Sequence, residues 1–191
     1  MDYEAMIQRY YPEDDALRRL LLSHSRQVAE RCLAVCERHP ELGLDERFVE
    51  EAAMLHDIGI RWCHAPSIHC EGTEHYLRHG LIGGELLRRE GFPEHARVCE
   101  RHTGTGLATV PTTVDAEGHV VELLPATLVR EGFFVPETVT EQLVCYADKF
   151  FSKSHPERVL SVEQAAQSLE RFGHEGVLKF LMWAKMFELY G

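Results

Sequence analysis

The sequence predicts an all-α fold: a helical bundle carrying one small irregular insertion with a β-hairpin. Three observations lead there. Apolar residues recur at helical spacing along most of the chain, capping signals stand where those runs begin, and a Thr-, Val-, Gly- and Pro-rich stretch of about 103–135 interrupts them. At 191 residues the chain reads as a single domain over 1–191, with a core of about 13–152, the insertion at about 103–135 and C-terminal helices over about 161–190.

A first helix is expected over 3–11, where Pro12 stops it. Leu17, Leu20, Leu21, Val28, Cys32, Val35 and Cys36 mark the apolar face of a longer helix over about 13–38, which His39-Pro40 ends. Asp45 is a good N-cap for a third helix running through Phe48, Ala52, Ala53 and Leu55 to Gly59, so His56 and Asp57 fall in its last turn. Residues 60–75 show no clean period, contain Pro66 and Gly72, and read as a loop. Helical spacing resumes over 76–90 and stops at Gly91, after which Pro93 opens a short helix through His102.

Within the insertion, Thr112-Thr113-Val114 and His119-Val120-Val121 flank Asp115-Ala116-Glu117-Gly118 as the arms of a hairpin. Thr138-x-x-Glu141 and Ser161-x-x-Gln164 are capping boxes, opening helices through Phe151 and to about Phe172. A final apolar helix spans about 175–189; Phe180, Trp183, Phe187 and Tyr190 recur there at core spacing.

Composition narrows the function classes. Apolar residues at 45% and charged residues at 27% are ordinary globular usage. No apolar run reaches the roughly 18 residues of a membrane span. Met1-Asp2-Tyr3-Glu4 lacks the basic-then-apolar start of a signal peptide, so a cytoplasmic protein without a membrane partner is expected. Six cysteines without framework spacing read as free thiols. A formal net charge of −11 argues against duplex nucleic acid as a partner. It leaves room for a small phosphorylated substrate, because a bound cation reverses the field locally. The sequence carries no signal for an oligomeric state.

Twelve histidines are the unusual feature. His56-Asp57 by itself is a weak signal, since neighbouring side chains on a helix point about 100° apart and meet one cation most readily at a helix end. His24, His79, His102 and Asp148 each lie among apolar residues on other expected helices. Singly, each reads as a hydrogen-bonded core residue. Together they read differently.

That ordered set, His24, His56-Asp57, His79, His102 and Asp148, resembles the HD-domain superfamily of metal-dependent phosphohydrolases over about residues 20–152. Leu55-His56-Asp57-Ile58-Gly59 matches its HDIG form, and His79-Gly80-x-x-Gly83-Gly84 follows on the next helix. The resemblance implies an HD-domain helical bundle that hydrolyses phosphate bonds of a nucleotide or similar small metabolite through metal-activated water. It implies that His24, His56, Asp57 and Asp148 bind one divalent metal. Where two are held, Asp57 bridges them, and His79 and His102 bind the second. Imidazole and carboxylate donors without thiolate favour Fe, Mn, Zn, Co or Ni over Ca.

Asp57 is then the central catalytic ligand, and Lys149, Arg61, Arg78 and Arg101 are candidates to bind phosphate oxygens. Many relatives place Lys directly after the HDIG stretch, where this chain has Ile60 and then Arg61. Arg meets oxygens as a planar fork and Lys as a point charge, so the two are not equivalent. Two other readings keep the same ligands: a di-iron oxygenase, and a non-catalytic nucleotide-binding sensor.

Three further features have weaker claims. Cys63-His64 and His69-Cys70 place ligands side by side rather than in the C-x₂₋₄-C pairs of structural zinc sites, so they read as part of a polar loop. His64, His69 and His75 are candidates to touch substrate or protonate a leaving group. Thr103-Gly104-Thr105-Gly106 lacks the full phosphate-loop pattern and reads as an exit from the His102 helix.

Overall fold

The computed structural model describes residues 1–107 and 109–188; Ala108 and residues 189–191, including the expected helix end at Leu189 and Tyr190, lie outside the described residues, as does the Phe172 side chain. The fold is helical, as the sequence predicts. In order come α1 (Tyr3–Tyr10), α2 (Ala16–Arg38) and α3 (Glu46–Leu55). Each is opened by an aspartate: Asp2, Asp15 and Asp45 accept from the backbone N–H groups of Ala5, Arg18 and Phe48. The third helix stops at Leu55, earlier than expected, and His56 and Asp57 stand in the turn beyond it.

The stretch 60–75, expected to be loop, instead folds into a small sheet. Short 3₁₀ turns at Ile60–Trp62 and Pro66–Ile68 surround β1 (Cys63–Ala65), β2 (Cys70–Glu71) and β3 (Glu74–His75). β1 lies centrally, antiparallel to β2 and parallel to β3. Strands of two or three residues are too short to show an alternating pattern. Backbone bonds from Gly72 N to Cys63 O (2.8 Å) and Thr73 N to Trp62 O (3.1 Å) fold the segment back on itself.

A 3₁₀ turn at Tyr76–Arg78 leads into α4 (His79–Arg89), which packs on α5 (Pro93–Arg101). In the insertion, β4 (Thr112–Val114) and β5 (Val120–Glu122) form the expected hairpin, with Val114 opposite Val120 and the second arm starting one residue late. A five-residue helix, α6 (Ala126–Arg130), was not legible in the sequence because it completes barely one turn. Leu107, Leu124, Val129 and Phe134 give this region its own small apolar cluster.

α7 (Val139–Asp148) ends three residues short of the expected Phe151 and carries Asp148 as its last residue. α8 (Val162–Leu169) and α9 (His174–Glu188) complete the described chain. α2, α3, α5 and α7 pack around one main core that includes Val28, Val49, Leu55, Cys99, Leu143 and Tyr146. All six cysteines are free and buried there or nearby. No helix among the described residues is long and apolar enough to cross a membrane.

Both capping boxes are formed. Thr138 accepts from Glu141 N at 3.2 Å while the Glu141 carboxylate accepts from Thr138 N at 3.1 Å. Thr138→Ala is therefore expected to cost about 1 kcal/mol in denaturant unfolding; an unchanged unfolding midpoint would mean that the cap contributes nothing to α7.

Candidate metal centre

Five elements deliver the ligand set to one point. His24 sits on the buried face of α2, His56 and Asp57 in the turn after α3, His79 at the first position of α4, His102 just past α5 and Asp148 at the end of α7. Apart from His24, these residues stand at helix ends, where side chains escape the fixed angular spacing of a continuing helix. His24, His56, Asp57, His79 and His102 are all at most 3% exposed.

Asp57 is the hub. Its Oδ2 lies 3.4 Å from His24 Nε2 and 3.3 Å from His56 Nε2, while its Oδ1 lies 3.3 Å from His79 Nε2 and 3.5 Å from His102 Nε2. Asp148 Oδ1 closes the first group, 3.0 Å from His24 Nε2 and 3.5 Å from His56 Nε2. One carboxylate thus faces two pairs of imidazoles with its two oxygens.

The imidazoles are oriented by the backbone. Nδ1–H of His56, His79 and His102 donates to the carbonyls of Ala53, Tyr76 and Cys99, at 2.6, 2.5 and 2.6 Å. A carbonyl only accepts, so Nδ1 of each ring carries a proton and Nε2 of each ring is turned into the centre. His79 Nε2 and His102 Nε2 lie 2.9 Å apart. Burial holds the His79 pKa down at about 3 and pushes that of His102 down, so both rings are neutral near pH 7. Two lone pairs that close are stable only around a shared cation.

Charge in the other half points the same way. Burial opposes a charged His56, but Asp57 and Asp148 hold its pKa up at about 9. Burial also opposes ionisation of Asp57, yet Lys153 and His56 hold its carboxyl well below the usual range. His56 Nε2 and Asp57 Oδ1 are buried without a hydrogen-bond partner, and Asp57 Oδ2 has the Lys153 ammonium 2.7 Å away. Buried polar atoms left unpaired are costly. Nitrogen and carboxylate donors with unused lone pairs fit a divalent metal, and His24/His56/Asp148 and His56/Asp57/His102 are groups that could hold one.

A cleft of about 360 Å³ opens onto the centre, lined by His79, His102 and Asp148 together with Lys149, Lys153 and Arg171. Lys149 Nζ donates to His102 O and to Asp148 Oδ2, both at 2.8 Å. A second opening of about 270 Å³ reaches His24, lined also by His69 and Lys153.

The three arginines singled out in the sequence do not line either opening. Arg101 is 5% exposed, donates to Val135 O at 2.9 Å and lies 3.4 Å from Glu137. Arg78 pairs with Glu74 at 2.9 Å. Arg61 lies over the Tyr11 ring, 5.6 Å from its centre. Long side chains next to a ligand in sequence go where their own helix or turn aims them, and these three are aimed elsewhere. Lys153 is the residue that sequence reasoning missed. It lies in an irregular segment with no periodicity, and nothing local marks it.

Of the loop histidines, His64 and His75 are exposed on neighbouring strands, and His69 borders the second opening. The Cys63-His64 and His69-Cys70 pairs do not form a metal-capable group among the described residues. Thr103–Thr105 is a 3₁₀ turn leaving α5, with Gly104 at φ 64°.

Comparison with known proteins agrees with the geometry. The family model described as HD domain matches residues 21–152. An uncharacterized protein of Methanocaldococcus jannaschii is 33% identical over 135 residues, which is 65% of this chain and 66% of that protein. Two proteins named tRNA (cytidine(56)-2'-O)-methyltransferase are also similar. The one from Thermoplasma volcanium is 27% identical over 81% of this chain and 38% of its own length; the one from Picrophilus torridus is 25% identical over 84% and 39%. The chain thus spans about two thirds of the first relative and about two fifths of the methyltransferases. No solved structure matches.

Proposed function

Since the chain belongs to the HD-domain family, a superfamily of metal-dependent phosphohydrolase type, we propose that it hydrolyses a phosphoester or phosphoanhydride of a small metabolite such as a nucleotide. The observation that carries this reading is Asp57 between two imidazole pairs at the base of a cleft lined by cationic side chains. His24, His56, Asp57 and Asp148 would hold one divalent ion, and Asp57, His79 and His102 a second. Such ions supply a nucleophilic water near neutral pH and neutralise charge that builds on a phosphoryl group.

The chain's own residues do the rest. Backbone carbonyls fix the orientations of the His56, His79 and His102 rings, so these three need not turn when the centre fills. Lys149, anchored on His102 O and Asp148, presents positive charge at the cleft wall. In a protein of net charge −11, such a cationic wall selects an anion against the overall field. The transferase activity in the names of the two methyltransferases is not part of this reading; the matched stretch is 38% and 39% of those proteins.

Metal analysis of the purified protein, paired with a screen of phosphomonoesters, nucleotides and anhydrides across Mn²⁺, Fe²⁺, Co²⁺, Ni²⁺ and Zn²⁺, tests the proposal. Phosphate release that a chelator abolishes and one of these ions restores is the expected result. Oxygen consumption by the iron-loaded protein without phosphate release would replace hydrolysis with oxygenase chemistry. Nucleotide binding without turnover in any metal would leave a sensor.

A further inference from the structure

The ligand motifs account for every imidazole and carboxylate of the centre and leave Lys153 unexplained. Its ammonium lies 2.7 Å from Asp57 Oδ2 and 3.8 Å from Asp148 Oδ1, and its side chain is 13% exposed. Those same two oxygens lie 3.0–3.5 Å from the Nε2 atoms of His24 and His56. The Lys153 charge therefore sits among the four ligand atoms assigned to the first metal. It has a reason to be there: the fully buried Asp57 carboxylate, beside the partly buried Asp148, needs a nearby cation, because uncompensated buried charge is strongly destabilising.

Lys153 also lines both openings to the centre, the larger with Lys149 and Arg171 and the smaller with His24 and His69. Its stem is flexible, and it belongs to an irregular segment rather than a helix. An ammonium and a divalent ion cannot share one set of ligands, since like charges a few ångströms apart repel strongly in a buried site.

We propose that Lys153 is an internal counter-ion that occupies the first cation position when the centre is empty. A divalent ion displaces it into the larger cleft, where it becomes an anion-binding group beside Lys149. The inference rests on the assignment of His24, His56, Asp57 and Asp148 as metal ligands. It makes Lys153 a determinant of both metal affinity and substrate affinity, with opposite signs. Removing the ammonium frees the carboxylates for metal and deprives the cleft of a phosphate partner.

The test is calorimetric titration of the metal-free protein with Mn²⁺, followed by titration of the Mn²⁺-loaded protein with inorganic phosphate, for wild type, Lys153→Met and Lys153→Arg. Lys153→Met is expected to bind Mn²⁺ about tenfold more tightly and phosphate about tenfold more weakly. Metal-free Lys153→Met is expected to melt below wild type and to gain more in Tm on adding Mn²⁺. Lys153→Arg is expected to keep phosphate affinity near wild type. Lys153→Gln, which keeps a donor for Asp57 without the charge, gives the same readings where the methionine variant does not fold metal-free.

Equal or weaker Mn²⁺ affinity in the uncharged variants overturns the counter-ion role, and unchanged phosphate affinity overturns the anion-binding role. In both cases wild-type Mn²⁺ binding leaves the metal centre standing. Absence of Mn²⁺ binding in wild type and variants alike overturns the centre and this proposal together.

Discussion

Asp57→Ala is expected to empty the centre, with bound metal falling below about a tenth of the wild-type content and phosphate release dropping by on the order of 10³-fold or more. Asp57 is fully buried and is the one residue whose two oxygens face both imidazole pairs. Losing it removes a donor from each half at once. It also removes a charge that holds the His56 pKa up and strips Lys153 of its closest partner. The apo variant should then lose stability as well, by about 3–5 kcal/mol, the usual cost of breaking a buried charge group. Asp57→Asn separates the two effects, because it keeps the shape while removing the charge. Circular dichroism establishes the fold, and metal content with initial rates reads the function. Retention of more than about a tenth of the activity in a folded Asp57→Ala protein would rule out Asp57 as the hub.

Gly59→Ala is expected to be strongly disruptive although it replaces no ligand. A Cβ on Gly59 would fall 2.1 Å from His79 O and 2.6 Å from Gly83 N. Both are backbone atoms, so no rotamer change relieves the clash, and the start of α4 must move off the turn that carries His56 and Asp57. Gly83 forms the other side of the same contact, its own Cβ position lying 2.5 Å from Cys99 Sγ and 3.1 Å from Gly59 N. We expect a loss of about 3 kcal/mol, toward the upper end for overpacking. That corresponds to a melting point lower by roughly 10 °C for a chain of this size. His79 moves with α4, so metal binding to the Asp57/His79/His102 half should weaken more than to the other half. A melting point within about 2 °C of wild type would show that the contact yields without cost.

These two residues also explain why the site was legible beforehand. Leu55-His56-Asp57-Ile58-Gly59 packs its chemistry and its steric requirement into five consecutive positions. His79-Gly80-x-x-Gly83-Gly84 does the same, pairing a ligand with the bare helix face that lets it approach. His24 and Asp148, polar residues flanked by apolar ones, read singly as hydrogen-bonded core residues and stood out only through their place in the ordered HD-domain set. The long helices were readable for a related reason, since α2 and α3 repeat their apolar residues over several turns and begin at aspartate caps.

The amino-acid sequence by itself determined the helical architecture and the hairpin in the insertion, because periodicity and capping act through near neighbours, and its ordered resemblance to the HD-domain pattern picked out the six imidazoles and acids that converge. The tertiary structure alone decided which cations face the centre. Arg61, Arg78 and Arg101 stand beside ligands in sequence yet bind Tyr11, Glu74 and Val135, whereas Lys153 reaches Asp57 from an irregular segment. It also decided the small sheet at 63–75 and the single-turn α6, where too few residues repeat for any pattern to appear. A long charged side chain is placed by the path of the backbone around it and by the opposite charge it can reach, and both are set only when distant elements pack together.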